Sequence, residues 1–114
     1  MTDTCLFCRI VAGEIPAATL HADDLVIAIR DIGPKAPTHV LLMPRAHVPS
    51  AADLTDADGP MLGRLFSVAA RLAADEGLDG GWRLVSNVGP DAGQSVPHLH
   101  VHLLGGRAMG WPPG

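Results

Sequence analysis

The stretch Gln94-Ser95-Val96-Pro97-His98-Leu99-His100-Val101-His102-Leu103-Leu104 places three of the chain's six histidines within five residues. Side chains alternate faces along a β-strand, so His98, His100 and His102 are expected to project one way and Leu99, Val101 and Leu103 the other. Three imidazoles on one face suit metal binding, phosphate binding or proton transfer. Packing alone gives little reason to assemble them, because a buried ring nitrogen without a partner costs free energy. The bland alternative is a solvent-facing strand side that happens to be rich in histidine.

The loop before this strand, Asn87-Val88-Gly89-Pro90-Asp91-Ala92-Gly93-Gln94-Ser95, combines glycines, exposed backbone N–H groups and a hydroxyl. That is the composition of an anion-binding concavity, and beside three histidines it reads as a phosphate cradle. Asp31 and Asn87 are polar residues at strand ends, suited either to holding a sugar or leaving group or to capping turns. His39 opens a strand and His47 follows the Pro44-Arg45-Ala46 break; each is open to a functional or a structural reading. His21 has no such context and is expected to be exposed.

Further from the histidines, Leu20–Ile29 reads as two short strands broken at Asp23-Asp24, the second being Leu25–Ile29. Asp31–Pro37 is a loop, since Gly33, Pro34 and Pro37 defeat regular structure. His39–Pro44 reads as an almost wholly apolar central strand ended by proline. Thr55–Asp58 signals a helix start, with Pro60 tolerable only in the first turn. Met61, Leu65, Val68 and Leu72, flanked by Leu62, Phe66 and Ala69, form the stripe of a helix lying on a sheet, and Gly77 supplies its stop. Trp82–Asn87 alternates as a further strand, and Phe7–Val11 allows a short helix. The connections are too short for parallel crossovers, so about five antiparallel strands with one long helix, an α+β architecture, are expected.

One domain spanning residues 1–114 is expected from the length, and 47% apolar residues allow a substantial core. Aromatic residues make up only 4%, so aliphatic side chains, helped by a subunit interface, must fill that core. A net charge of −4 argues against recognition of nucleic acid through a broad basic face, although a small nucleotide can bind through local groups. No run approaches a membrane span, and the start does not read as a signal peptide, so a cytoplasmic protein is expected. Both cysteines lie in Cys5-Leu6-Phe7-Cys8, which fits a metal clip, a redox pair or two buried thiols.

His98-Leu99-His100-Val101-His102-Leu103-Leu104 resembles the signature of the histidine-triad (HIT) family, three histidines alternating with apolar residues. The likeness extends along the chain through Ile10–Ala17, Asp31-Ile32, Ala36–His39, Met43-Pro44, His47, Ala92–Val96 and Leu104–Arg107. The ending Trp111-Pro112-Pro113-Gly114 is similar to the family's histidine-triad nucleotide-binding branch. The resemblance implies a HIT-like fold: a five-stranded antiparallel sheet with one long and one short N-terminal helix, the sheets of two subunits joined in a homodimer. It also implies a purine-nucleotide hydrolase, acting on nucleoside phosphoramidates or related AMP or GMP adducts through a nucleotidyl-histidine intermediate. His100 would be the nucleophile, His102 would lie near the phosphate oxygens and leaving group, His39 would support the triad, and Ser95 with Gly93 and Gln94 would bind phosphate or leaving-group atoms. Asp31 would accept the ribose hydroxyls, Phe7, Ile10 and Ile32 would flank the purine, Asn87 would line the site, and the tail carrying Trp111 would reach towards the partner's site.

In bacterial members with a Cys-x-x-Cys pair, the resemblance implies zinc held by Cys5, Cys8, His47 and His98. Such a closed Cys₂His₂ set is structural, and no catalytic metal is then expected. Pro97 stands where the family usually has an aromatic residue, and Gly110 where it has a bulkier polar one. Pro97 removes a backbone donor and is expected to make the strand start irregular. Two other readings remain: a metallohydrolase built on the histidines, and a non-catalytic nucleotide-binding or scaffold module.

Overall fold

The computed structural model describes residues 4–114. Strands β1 (Thr19–Ala22), β2 (Val26–Arg30), β3 (Thr38–Pro44), β4 (Trp82–Ser86) and β5 (Val101–Gly105) form one antiparallel sheet in the order β1-β2-β3-β5-β4. Two helices accompany it: the short α1 (Leu6–Val11) and the long α2 (Gly59–Asp75). Thr55 and Asp58 cap each other's backbone just ahead of α2, and Pro60 falls in its first turn, where a missing N–H costs nothing. Gly77, at φ +72°, takes the left-handed conformation that closes the helix. Among the described residues no helix is long and apolar enough to cross a membrane.

The sheet separates two apolar layers. On one side Val26, Ala28, Val40, Leu42, Leu99, Val101 and Leu103 meet Met61, Leu65, Val68, Ala69 and Leu72 of α2. Each fully buried aliphatic side chain here contributes about 1.5–3 kcal/mol, so the α2 stripe anchors the fold. On the other side Ile27, Ile29, Leu41 and Met43 meet Cys5 and Phe7 of the N-terminal segment. β3 is buried along its whole length, as the near-continuous apolar run predicts for a central strand.

The histidine stretch departs from a simple strand. Its ladder begins only at Val101, so His98 and His100 precede β5 and only His102 lies within it. The β3–β5 pairing stops at Leu42 and Val101. Beyond that point the His98 N–H turns back to the Val96 carbonyl (2.9 Å), and Leu99 N–H donates to the Val48 carbonyl (2.6 Å) instead of to β3. Pro97, with no N–H of its own, adds to the irregular start, while these diverted bonds set where the ladder begins. The alternation survives: Leu99, Val101 and Leu103 face α2 while the histidines face α1. That histidine face is not open to solvent, since His98 and His100 are buried.

His21 also departs from expectation. It is half-buried, its Nε2 2.6 Å from Asp23 Oδ2, and Arg71 of α2 lies on its other nitrogen. Arg64 of α2 bonds the same Asp23 oxygen at 2.7 Å, so the network ties the β1–β2 turn to the helix. These contacts hold the Asp23 carboxyl far below the usual carboxylate range: burial opposes the shift, and His21, Arg64 and two backbone N–H groups overcome it.

Candidate active site and metal centre

Cys5 caps α1, its sulfur accepting the Cys8 N–H at 3.3 Å, which directs both sulfurs to one side of the turn. Opposite them stand His47, after β3, and His98, before β5. Cys5 Sγ lies 3.4 Å and Cys8 Sγ 3.5 Å from His98 Nδ1, and Cys8 Sγ lies 3.2 Å from His47 Nδ1. All four ligand atoms fall within 4.8 Å of one another. Tetrahedral zinc, with bonds of about 2.3 Å to sulfur and about 2.0 Å to nitrogen, separates adjacent S and N ligands by about 3.6 Å, so these spacings fit it. The tautomer fits as well. His98 Nε2 donates to the Pro44 carbonyl at 2.9 Å, leaving the Nδ1 lone pair aimed at the thiols.

His100 uses the opposite tautomer. Its Nδ1–H donates to the His98 carbonyl at 2.7 Å, so the proton is held there and Nε2 carries a lone pair. Phe7 of α1 packs edge-on against both His100 and His98, with ring centroids 4.9 and 5.9 Å apart. A short backbone bond and a buried aromatic ring thus fix both the tautomer and the orientation of the His100 imidazole.

His39 and His102 form a second fixed pair. The Lys35 backbone N–H donates to His39 Nδ1 at 3.0 Å, which puts the His39 proton on Nε2. Nε2 then donates to His102 Nδ1 at 2.9 Å, with Asp31 Oδ2 3.4 Å away, and His102 in turn carries its proton on Nε2. Burial pushes both imidazoles below the ordinary histidine pKa. His100 and His39 push His102 down further, while Asp31 opposes the shift on both rings and Lys35 adds to it on His39. Both rings are therefore neutral near pH 7, with His102 left as an N–H donor. Asp31, His39 and His102 also bring three potential metal ligands within 4.8 Å. However, His39 Nε2 bears a proton as long as Lys35 occupies Nδ1, so the atom facing that cluster is a donor and not a ligand. This donor chemistry disfavours the metallohydrolase reading.

A mostly apolar cleft of about 360 Å³ lies alongside, lined by Phe7, Ile10, Ile15, Leu41, Asp31 and Ser95 among others. Leu41 pairs with His102 across the ladder, so the cleft wall continues directly into the histidine row. Ile32 stands fully exposed at its lip. Asp31 Oδ1 accepts the Gly33 N–H at 2.7 Å, so its turn role and its place on the cleft coexist.

The structure thus brings Phe7, Ile10, Asp31, Ile32 and Ser95 together at one cleft, with His39, His100 and His102 beside it. Asn87, Gly93, Gln94 and Trp111 are not among the residues lining it. Gln94 is occupied in bracing its loop, accepting from Gly89 N–H at 2.9 Å and donating to the Pro49 carbonyl at 2.8 Å. The Trp111 ring is 83% exposed within one chain. Ile15, Pro16 and Leu41 also line the cleft, and nothing in the sequence marks them as site residues rather than ordinary apolar ones.

The family model for the HIT domain matches residues 12–109. A purine nucleoside phosphoramidase from Escherichia coli K12 is 43% identical over 111 residues, 96% of this chain and 93% of that protein. A 14 kDa zinc-binding protein from Zea mays is 46% identical over 96% of this chain and 87% of its own. The crystal structure of a HIT family hydrolase from Legionella pneumophila superposes with a TM-score of 0.95 at 49% identity, covering 97% of this chain and 100% of that one.

Proposed function

The chain belongs to the HIT domain family, and from that premise we propose that it hydrolyses purine nucleoside phosphoramidates or related AMP and GMP adducts through a nucleotidyl-histidine intermediate. One observation carries the reading: the His100 Nδ1–H bond to the His98 carbonyl, which leaves Nε2 its lone pair on a ring packed against Phe7, itself a wall of a nucleoside-sized cleft. Nε2 attacks the α-phosphorus, an N–P bond forms as the bond to the leaving amine breaks, and the amine departs with a proton taken from solvent, a proton being returned to solvent when water later cleaves the histidine–phosphorus bond. Water then displaces His100, releasing the nucleoside monophosphate; a difficult substitution is divided into two easier ones. His102, neutral and donating through Nε2–H, stabilises the charge on the phosphoryl oxygens, and His39 holds it in that tautomer. In this reading Ser95, on the cleft wall, binds phosphate or leaving-group atoms, and the Gly93-Gln94 backbone, which does not line that cleft, supports it from the preceding loop. Phe7, Ile10 and Ile32 hold the base and Asp31 accepts the ribose hydroxyls, all four from the cleft wall, whereas Asn87 does not line that cleft and has no part in this reading.

Zinc bound by Cys5, Cys8, His47 and His98 has a structural part in this reading. It braces the segment that carries His100 and takes no step of the reaction. A second copy of the chain completes the assembly, supported by the open edge of β4 and by Trp111, whose ring needs a partner to be buried.

The test is a burst assay on adenosine phosphoramidate with wild type and His100→Ala. Wild type is expected to form a stoichiometric nucleotidyl-enzyme, and the variant none, with nucleotide binding retained. Hydrolysis by His100→Ala above a few per cent of wild type overturns the nucleophile assignment.

A further inference from the structure

Arg107, one residue beyond Gly106 in the tail, has no part in the reaction as described so far. Gly106 adopts φ +91°, and a Cβ there would lie 2.8 Å from Pro37 Cβ, so the tail is pressed against the Asp31–Pro37 loop. From that position the Arg107 guanidinium donates twice to one acceptor, the Lys35 carbonyl, through Nε at 3.2 Å and Nη2 at 3.0 Å. Lys35 is also the residue whose N–H donates to His39 Nδ1. Residue 35 is therefore gripped at its carbonyl and spends its N–H on the imidazole pair.

We infer that Arg107 is a positioning residue for the reaction: by clamping Lys35 it holds His39, and through His39 holds His102, in the tautomers that leave His102 an Nε2–H donor. The chain of bonds runs from Arg107 to the Lys35 carbonyl, from Lys35 N–H to His39 Nδ1, and from His39 Nε2–H to His102 Nδ1. A loop with a glycine and two prolines has no sheet ladder to hold residue 35, so the clamp supplies what secondary structure does not. Arginine suits the task because its planar fork can place two N–H groups on one oxygen, whereas lysine offers a single point donor. Losing the aligned Lys35 N–H removes one hydrogen bond's preference between the His39 tautomers, a factor of roughly three to ten in their ratio. The consequence for rate rests on the nucleotidyl-transfer reading; the consequence for tautomers does not.

Two readouts on the full chain separate these. In ¹⁵N-histidine NMR, wild type is expected to show His39 and His102 each in a single Nε2–H form. In Arg107→Ala a minor Nδ1–H form should appear at both rings, and the nucleotidylation rate on adenosine phosphoramidate should fall in proportion to that form's share, by less than about twofold while it stays minor, with KM unchanged. Arg107→Lys should lie between the two. Arg83→Ala is the control, because Arg83 Nη2 holds the tail at the Gly110 carbonyl without touching Lys35; it should leave both tautomers unchanged. A single Nε2–H form at both rings in Arg107→Ala, or an equal tautomer mixture in Arg83→Ala, overturns the inference. If tautomers respond to Arg107 as expected but wild type hydrolyses no phosphoramidate, the positioning role stands and the proposed function falls.

Discussion

If zinc fills the Cys5, Cys8, His47 and His98 set as proposed, stripping it is expected to lower the melting temperature by about 17 °C without unfolding the chain at room temperature. Three S···N pairs among the four ligand atoms already stand at 3.2–3.5 Å, so the metal replaces short contacts and little has to move. The apo state is tolerable because His98, though fully buried, keeps its bond to the Pro44 carbonyl and Cys5 keeps its helix cap. Free zinc at a thousandfold over its dissociation constant stabilises the native state by about 4.1 kcal/mol. A chain of this length unfolds with an entropy of about 0.24 kcal/mol per kelvin, which converts that energy to roughly 17 °C. Cys8→Ser, which leaves one sulfur and two imidazoles, should show most of the same loss. The assay is thermal unfolding by circular dichroism at fixed protein concentration, with and without chelator, beside zinc analysis of the purified protein. A chelated sample melting within about 2 °C of the untreated one, or Cys8→Ser retaining a full equivalent of zinc at an unshifted midpoint, would refute the reasoning.

Asp31→Asn should narrow the preference for ribonucleotide over 2′-deoxyribonucleotide substrates by roughly tenfold in kcat/KM, since a carboxylate accepts from a hydroxyl more strongly than an amide does; equal wild-type rates on both sugars would leave Asp31 a turn residue only. Stability should fall on acidification below the unfolded histidine pKa of about 6.5. His39 and His102 have folded pKa values below that figure, so the unfolded chain binds the extra protons and the contribution is lost as pH falls towards the folded values. Urea midpoints measured from pH 7.5 to 5 check this, and a His39→Gln variant with the same pH slope as wild type would contradict it.

What was legible in the sequence was local. The alternation of His98, His100 and His102 with Leu99, Val101 and Leu103 needs only the two-residue period of extended chain, and the α2 stripe needs only the helical one. What was not legible depends on contacts far apart along the chain. The ladder begins at Val101 because the Pro44 carbonyl and the Val48 carbonyl take up His98 Nε2 and Leu99 N–H. His21 becomes half-buried only because Arg64 and Arg71 arrive from α2.

The tautomers belong to the same class, and they matter most for chemistry. Neighbouring histidines of one motif carry opposite assignments: His98 keeps its lone pair on Nδ1, facing the two thiols, and His100 keeps its own on Nε2, the nitrogen the proposed reaction uses. Each assignment is made by a backbone group, the Pro44 carbonyl for one and the His98 carbonyl for the other. His39 is set by the N–H of Lys35. Every non-proline residue has an N–H and every residue has a carbonyl, so no pattern of side chains can reveal which of them will face an imidazole. The motif supplies rings that can do several kinds of chemistry, and the path of the backbone around them decides which nitrogen of each ring is free to act.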